Sequence, residues 1–292
     1  MKSLLKPGKY VIAVSGGVDS VVLLNMLSMQ GDIDLVVAHF DHGIRENSDR
    51  DAKFVEQLAQ SYNLPFECAK GQLGLQASEA LARQKRYDFL ELVREKHHAL
   101  AIVTAHHEDD VLETALINLI RGTKRKGLTS LESNTKVIRP LLNLSKEEII
   151  NYANSHSLRW YEDETNTDEK YLRNLLRKKI ANLPQKDKSA LQEIISGTKP
   201  INDEIDHLIS GIIDNAVKED ILDRKLFLAL PYDVSSEVLA HWFRTKHVEI
   251  NSKRIHQLVQ QLKTANPSTE MDIDKHWILK IEKDQIRMQP RS

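Results

Sequence analysis

Six consecutive residues, Ser15-Gly16-Gly17-Val18-Asp19-Ser20, place two hydroxyls, two glycines and a carboxylate between an apolar β-branched run and a helical repeat. Adjacent glycines let the backbone turn sharply and approach a ligand closely, and the free N–H groups where a helix then begins attract an anion. The chemistry that suits these residue types is the holding of a phosphate. A loop that puts a lysine on the terminal phosphates reads G-x-x-x-x-G-K-[ST]. This loop has no lysine, the near miss from Gly122 to Gly127 continues with Leu128, and G-x-G-x-x-G is not matched either.

A second cluster is His106-His107-Glu108-Asp109-Asp110-Val111-Leu112-Glu113-Thr114. If a helix begins here, His107, Asp110 and Glu113 follow at i, i+3 steps and share one face. Such a face can bind Mg²⁺ through its carboxylates, receive a substrate ammonium or supply a general base. The plainer reading, an acidic first turn favoured by the helix dipole, leaves two histidines unexplained. The spacing is not the His-Glu-x-x-His of zinc hydrolases. Two basic runs stand out as well: Arg121, Lys124, Arg125 and Lys126, and then Arg173, Arg177, Lys178 and Lys179. Lys and Arg total 41 against 42 Asp and Glu. The whole chain therefore carries no charge signal for nucleic acid, and the runs are either solvated faces or local phosphate contacts.

The elements that must position these groups follow from periodicity. Tyr10 to Val14 reads as a strand, Val21 to Leu27 continues as a helix, and Ile33 to Phe40 reads as a second buried strand. Then come a helix from 48 to 62, a short strand over 65–70, an amphipathic helix over 77–97 and a strand over 100–105. Strands alternating with helices predict a parallel sheet covered on both faces. Ligands of such sheets bind beyond the carboxyl ends of the strands, which gathers the Ser15 loop, the His39 region and the segment after Ala105 around one cleft. The helix over 77–97 carries Glu79, Arg83, Arg86 and Tyr87 on neighbouring turns, and arginine can grip phosphate bidentately. Arg173 to Ile180 and Leu183-Pro184 close the first domain.

At 292 residues the chain is long enough for about two domains. The expected division is a catalytic domain over 1–185, a linking helix over 186–213 and a small α+β domain over 214–292. That last domain holds the apolar stretch Leu226 to Leu230, helices over 235–246 and 253–263, and a hairpin through Trp277–Ile281 and Gln285–Met288. No run nears the roughly 20 apolar residues of a membrane span, so a cytoplasmic protein with no membrane contact is expected. Cys68, the only cysteine, excludes an internal disulfide and a cysteine metal cage within this sequence, and is expected to fill space in a strand.

The first loop resembles the SGGxDS motif of the PP-loop ATP pyrophosphatases, which cleave ATP between the α and β phosphates. A closer resemblance is carried by this loop, His39-Phe40-Asp41-His42-Gly43-Ile44-Arg45, Glu79 to Tyr87, Thr104 to Asp110 with Glu113-Thr114, and Arg121-Gly122 with Gly127-Leu128. It continues through Ile138-Arg139-Pro140-Leu141-Leu142, Trp160 to Asn166 and Tyr171 to Arg177. In this order the pieces are similar to the tRNA(Ile)-lysidine synthetase family. The resemblance implies a Rossmann-like, adenine nucleotide α-hydrolase-like fold and a two-step ligation. ATP adenylates carbon 2 of the wobble cytidine of a CAU-anticodon tRNA(Ile), and the ε-amine of L-lysine then displaces AMP. Carried over by position, Ser15, Gly16, Gly17, Val18, Asp19 and Ser20 bind ATP together with Ala38 and His39, and Asp19 is essential and helps to position Mg²⁺ or the nucleotide. Arg86 would meet nucleotide or intermediate, Asp110 and Glu113 would be lysine-binding or catalytic acids, and His106 or His107 would assist proton transfer. Arg121, Lys124, Arg125, Arg173, Arg177 and Lys178 would contact tRNA. The sequence reads as a short form without the last C-terminal domain of some members, and a homodimer is left open. The rival expectations are another PP-loop ligase or thiolase, although a cytidine-type thiolase would want a Cys-x-x-Cys pair, and a non-catalytic nucleotide-gated RNA-binding protein.

Overall fold

The computed structural model describes residues 3–41, 43, 48–71, 79–123, 125–161, 172–248 and 250–291. The motif residues His42, Ile44, Arg45 and Ser78, the basic residue Lys124 and the stretch 162–171 lie outside the described residues, as does the Glu79 side chain. Two compact units make up the chain, 1–117 with 129–195 and 118–128 with 196–292.

The first unit follows the order β1 (Gly8–Ala13), α1 (Val18–Ser28), β2 (Ile33–Asp41), α2 (Ser48–Ser61), β3 (Phe66–Lys70), α3 (Glu79–Lys96), β4 (Ala101–Val103) and α4 (Glu108–Ile120). After α5 (Arg125–Leu128), which belongs to the second unit, come β5 (Val137–Ile138), α6 (Lys146–Ser155), α7 (Leu172–Ala181) and the first part of α8 (Gln185–Ala216). The five strands form the expected parallel sheet, in the order β3-β2-β1-β4-β5. The chain steps outward from β1 to β3 and then restarts on the other side at β4. The order thus reverses between β1 and β4, and the ligand crevice of a doubly wound sheet opens at that reversal.

Strand periodicity explains the two cores. Tyr10, Ile12 and Val14 point to one face and pack with Val22, Leu23 and Ile149, whereas Val11 points to the other with Leu90, Val93 and Ile102. Ile12 and Val11 are fully buried, so truncating Ile12 to Ala would cost about 2–5 kcal/mol. The sequence motif Ser145-x-x-Glu148 closes a reciprocal capping box that fixes where α6 begins. Tyr152 of α6 donates to Asn25 Oδ1 of α1 at 2.9 Å, and Asn25 Nδ2 donates to the Tyr62 hydroxyl at 2.8 Å. These bonds tie α6 and the end of α2 to the helix that follows the glycine loop.

One expectation is corrected here. Cys68 does lie in a strand, but β3 is the edge of the sheet and the thiol is exposed rather than filling space.

The helix expected as a link runs Gln185–Ala216, and the boundary between the units falls within it after Ile195. The segment 118–128, inside the expected first domain, belongs to the second unit. That unit continues with β6 (Val217–Lys218), β7 (Ile221–Asp223), α9 (Arg224–Ala229), α10 (Tyr232–Thr245), α11 (Ser252–Thr264), β8 (Thr269–Asp272), β9 (Trp277–Ile281) and β10 (Gln285–Pro290). Its sheet is antiparallel in the order β6-β7-β10-β9-β8, and the expected hairpin pairs Ile281 with Ile286. Phe227, Trp242, Phe243, Leu279 and Ile281 form its core.

Candidate active site

The glycine loop leaves β1 at the reversal point. Gly16 adopts φ +93°, a conformation an L side chain resists, and its carbonyl accepts the Tyr161 N–H at 3.0 Å. Ser20 is buried: its hydroxyl donates to the Gly17 carbonyl at 2.9 Å and accepts the Ser15 N–H at 3.2 Å. A hydroxyl has one proton, so the 3.3 Å contact between the two serines must be donated by Ser15. Ser20 thus shapes the loop while Ser15 stays exposed. No side chain caps α1 at Gly17; the Ser20 N–H donates to the Gly17 carbonyl at 3.1 Å, and the Val18 and Asp19 N–H groups are left to water or an anion.

Ala38 and His39 brace the loop from behind. The Val14 N–H donates to the Ala38 carbonyl at 2.9 Å, and His39 Nδ1–H donates to the Val14 carbonyl at 2.8 Å. Both residues are buried.

Across the crevice, the segment after β4 forms the first turn of α4, as the i, i+3 spacing requires. The His107 N–H donates to Asp110 Oδ2 at 2.9 Å, so Asp110 is partly a capping acid. The same carboxylate lies 3.5 Å from His107 Nε2, and that nitrogen is 3.8 Å from Asp19 Oδ1 in the glycine loop. His107 Nδ1 is buried with no hydrogen-bond partner. One turn further, Glu113 is 3 % exposed, and its two oxygens meet Arg173 Nε at 2.5 Å and Arg177 Nε at 2.8 Å. Arg177 Nη2 also lies 3.7 Å from Asp110 Oδ1.

These surroundings move two pKa values far. Burial raises Glu113 to about 7, opposed by Arg177 and aided by Asp110. Burial pulls His106 down to about 3 against the attraction of Asp110, and Arg139, Arg86 and Arg83 push the same way as burial. His106 is therefore a neutral imidazole at pH 7, with Nδ1 2.8 Å from Thr104 Oγ1. Arg86 joins the site through the field it exerts on His106 and through Asp110, and burial lowers its own pKa.

The basic runs divide. Arg121 and Lys178 are exposed. Arg125 differs from the expected phosphate contact: it is 17 % exposed and bonded to Asp206 at 2.6 Å and Glu237 at 2.9 Å, inside the second unit. Lys126 pairs with Asp206 at 2.7 Å. Arg173 and Arg177 hold Glu113 rather than standing clear for a phosphate.

Sequence reasoning missed Lys146, whose Nζ lies 2.5 Å from Asp19 Oδ1. It also missed the partly buried pair of Lys188 and Asp109 at 3.4 Å. The capping box beside Lys146 was a legible signal for the helix that carries it. Among the described residues no group of three or more His, Cys, Asp or Glu is arranged to hold a metal, and no helix is long and apolar enough to cross a membrane.

A family model described as a PP-loop domain matches residues 1–183. A tRNA(Ile)-lysidine synthase of Thermotoga sp. (strain RQ2) is 34% identical over 245 residues, which is 80% of this chain and 58% of the relative. The protein of that name from Rickettsia akari is 35% identical over 225 residues, 73% of this chain and 51% of the relative. The bifunctional protein TilS/HprT of Listeria innocua is 29% identical over 296 residues, 91% and 45%. The chain thus spans about half the length of the curated relatives it matches. Among solved structures, the U34-tRNA thiolase NcsA from Methanococcus maripaludis, with its [4Fe-4S] cluster, superimposes with a TM-score of 0.56 at 17% identity over 68% of this chain and 73% of that one, a likeness of fold. With its motif loop, its parallel sheet and a match across residues 1–183, the chain belongs to the PP-loop family.

Proposed function

We propose that this protein ligates L-lysine to the wobble cytidine of a CAU-anticodon tRNA(Ile), using ATP and releasing pyrophosphate and then AMP. The observation that carries the reading is the meeting of the glycine loop with the acids of α4 at the sheet's reversal point, where Asp19, His107 and Asp110 stand within 3.8 Å of one another in sequence of contact. Relatives named tRNA(Ile)-lysidine synthase support the choice of substrate.

In the first step the cytidine oxygen on carbon 2 attacks the α-phosphorus of ATP and pyrophosphate leaves. The Val18 and Asp19 N–H groups would hold the leaving group as fixed dipoles that need no reorganisation during reaction, joined by the Ser15 hydroxyl once it turns from Ser20. Mg²⁺ fits beside Asp19, whose carboxylate already holds a cation, Lys146 Nζ, at 2.5 Å. A bound Mg²⁺ needs only one or two protein carboxylates when phosphates complete its shell, and it would neutralise charge on the leaving group. Arg86 is suited to the nucleotide or the adenylated intermediate.

In the second step the lysine ε-amine attacks carbon 2 and AMP leaves. The incoming ammonium must first lose a proton. Glu113, raised to about 7, is poised for that role near neutrality, and Asp110 would hold the ammonium. His106, neutral at pH 7, can accept or pass a proton but cannot act as a cationic acid. Arg173 and Arg177 occupy both oxygens of Glu113. A tRNA phosphate competing for these arginines would free Glu113 once the nucleic acid had arrived.

The test uses purified protein with Mg²⁺, ATP, labelled L-lysine and bulk bacterial tRNA. Label should enter only the tRNA(Ile) with anticodon CAU, with AMP and pyrophosphate as co-products. Equal labelling of methionine tRNAs, which share that anticodon, would keep the chemistry and refute the recognition. No label in any tRNA, with AMP still formed when ammonia, glutamine or a sulfur donor is supplied, would point to a different PP-loop ligase or thiolase.

A further inference from the structure

The phosphate loop has no lysine of its own, yet a lysine from elsewhere in the unit reaches it. Lys146 stands in the first turn of α6, and its Nζ lies 2.5 Å from Asp19 Oδ1. The helix that carries it is held at its start and along its buried face. The Ser145–Glu148 capping box fixes the start of α6, and Ile149 and Ala153 are fully buried in the core that also contains Val22 and Leu23 of α1. The helix that presents the ammonium is thus packed against the helix whose N-terminus forms the anion site. The Lys146 side chain is 36 % exposed, and an ammonium has three donors, so one contact to Asp19 leaves two for another acceptor.

We infer that Lys146 is the cation of the phosphate site, supplying from α6 the charge that other phosphate loops carry within themselves. In the ligand-free protein it neutralises Asp19. When a polyphosphate enters, Nζ turns toward its oxygens, and Asp19 becomes available to the accompanying divalent cation. A partly exposed ion pair holds its partners weakly in water, so this exchange is easily made. The inference deepens the proposed function and rests on its reading of the Ser15 loop as the pyrophosphate site.

The alternative is that Lys146 merely pins α6 to the loop, and binding experiments separate the two. Inorganic pyrophosphate, ATP and AMP, each with Mg²⁺, are titrated calorimetrically against wild type, Lys146→Met and Lys146→Arg. The Met variant should bind pyrophosphate and ATP about 10- to 100-fold more weakly, the worth of one hydrogen bond to a charged group, with AMP binding unchanged, and Arg should restore part of the loss. A Met variant that binds pyrophosphate like wild type overturns the inference alone. Equal losses for AMP and pyrophosphate overturn it in favour of the pinning role, and the thermal melt of each variant shows whether the fold has suffered. Failure of wild type itself to bind pyrophosphate overturns the loop reading and the inference together.

Discussion

Glu113 is the residue whose replacement says most about the site. Its carboxyl is 3 % exposed and its pKa stands at about 7 against an ordinary value of 4.5. The folded protein therefore holds this proton more tightly than the unfolded chain does. Stability falls as pH rises from 4.5 to about 7, and the ionised group stays unfavourable above that. At about 1.4 kcal/mol per pKa unit the full swing is about 3 kcal/mol. The attraction of Arg177 is already contained in that value, since it pulls the pKa down against burial. Glu113→Gln has no proton to lose, and any loss of its ion pair with Arg173 and its hydrogen bond from Arg177 adds an offset that pH barely changes. Urea unfolding at pH 5 and pH 8.5, followed by the amide resonances of β1 so that only the first unit is read, should show the stability difference moving by about 2.5 kcal/mol toward the variant at high pH, since part of the swing is already spent at pH 5. The lysine-transfer step in wild type should rise with pH to a plateau above about 7, and the variant should lose that rise. A stability difference that is the same at both pH values would mean that Glu113 keeps an ordinary pKa, and its assignment as the base would fall.

Asp19→Asn should leave the thermal melt near that of wild type, because its partners are partly exposed, yet abolish tRNA-dependent pyrophosphate release; normal release would remove Asp19 from the site. Two members of the first basic run should behave differently. Neutralising exposed Arg121 should flatten the salt dependence of log K for tRNA by about 0.7 to 0.9, whereas Arg125→Ala should leave the slope alone and destabilise the second unit by about 1–3 kcal/mol, since Asp206 and Glu237 lose a partly buried partner. An Arg125 variant with a changed slope and an unchanged melt would restore it as a phosphate contact. His106, with its pKa pushed down to about 3, should keep a constant ring chemical shift from pH 8 to pH 5. Because the folded state resists its proton, its contribution to stability is present above pH 6.5 and lost as pH falls from there toward 3. A ring that titrates near 6.5 would contradict its burial.

The parts of this site that could be read from the sequence are those made by local geometry. The glycine loop is a strand end, a positive φ and a helix start within six residues, and the α4 face depends only on the helical repeat. The parallel sheet followed from strands and helices alternating at regular spacing. What could not be read is what tertiary structure decides. Lys146 meets Asp19 across 127 residues of sequence, and no periodicity connects them. Arg125 looked like its neighbours in a basic run, but its partners lie 81 and 112 residues downstream. The exposure of Cys68 depends on β3 being the last strand of the sheet, which is set by strand order rather than by the composition of the strand itself.

The distant contacts also give the crevice a property that no local motif contains. Lys146, Asp19, His107, Asp110, Arg177, Glu113 and Arg173 follow one another at 2.5, 3.8, 3.5, 3.7, 2.8 and 2.5 Å. The row holds three cations and three carboxylates, with the His107 imidazole between Asp19 and Asp110. A ligand entering such a row does not add to an unbalanced site; it exchanges with a partner already there. A polyphosphate competes with Asp19 for Lys146, and a lysine ammonium competes with the two arginines for Glu113. Each exchange gives back part of its own Coulomb gain, so each ligand binds less tightly than its charge alone would allow. An anion that draws Arg177 away leaves Asp110 and Glu113 as two carboxylates in one poorly solvated place, a position that raises their affinity for a cation. If the substrates are those proposed, tRNA and lysine, the expected consequence is order: nucleic acid phosphate first and lysine afterwards, with Glu113 unmasked only when its arginines have somewhere else to go.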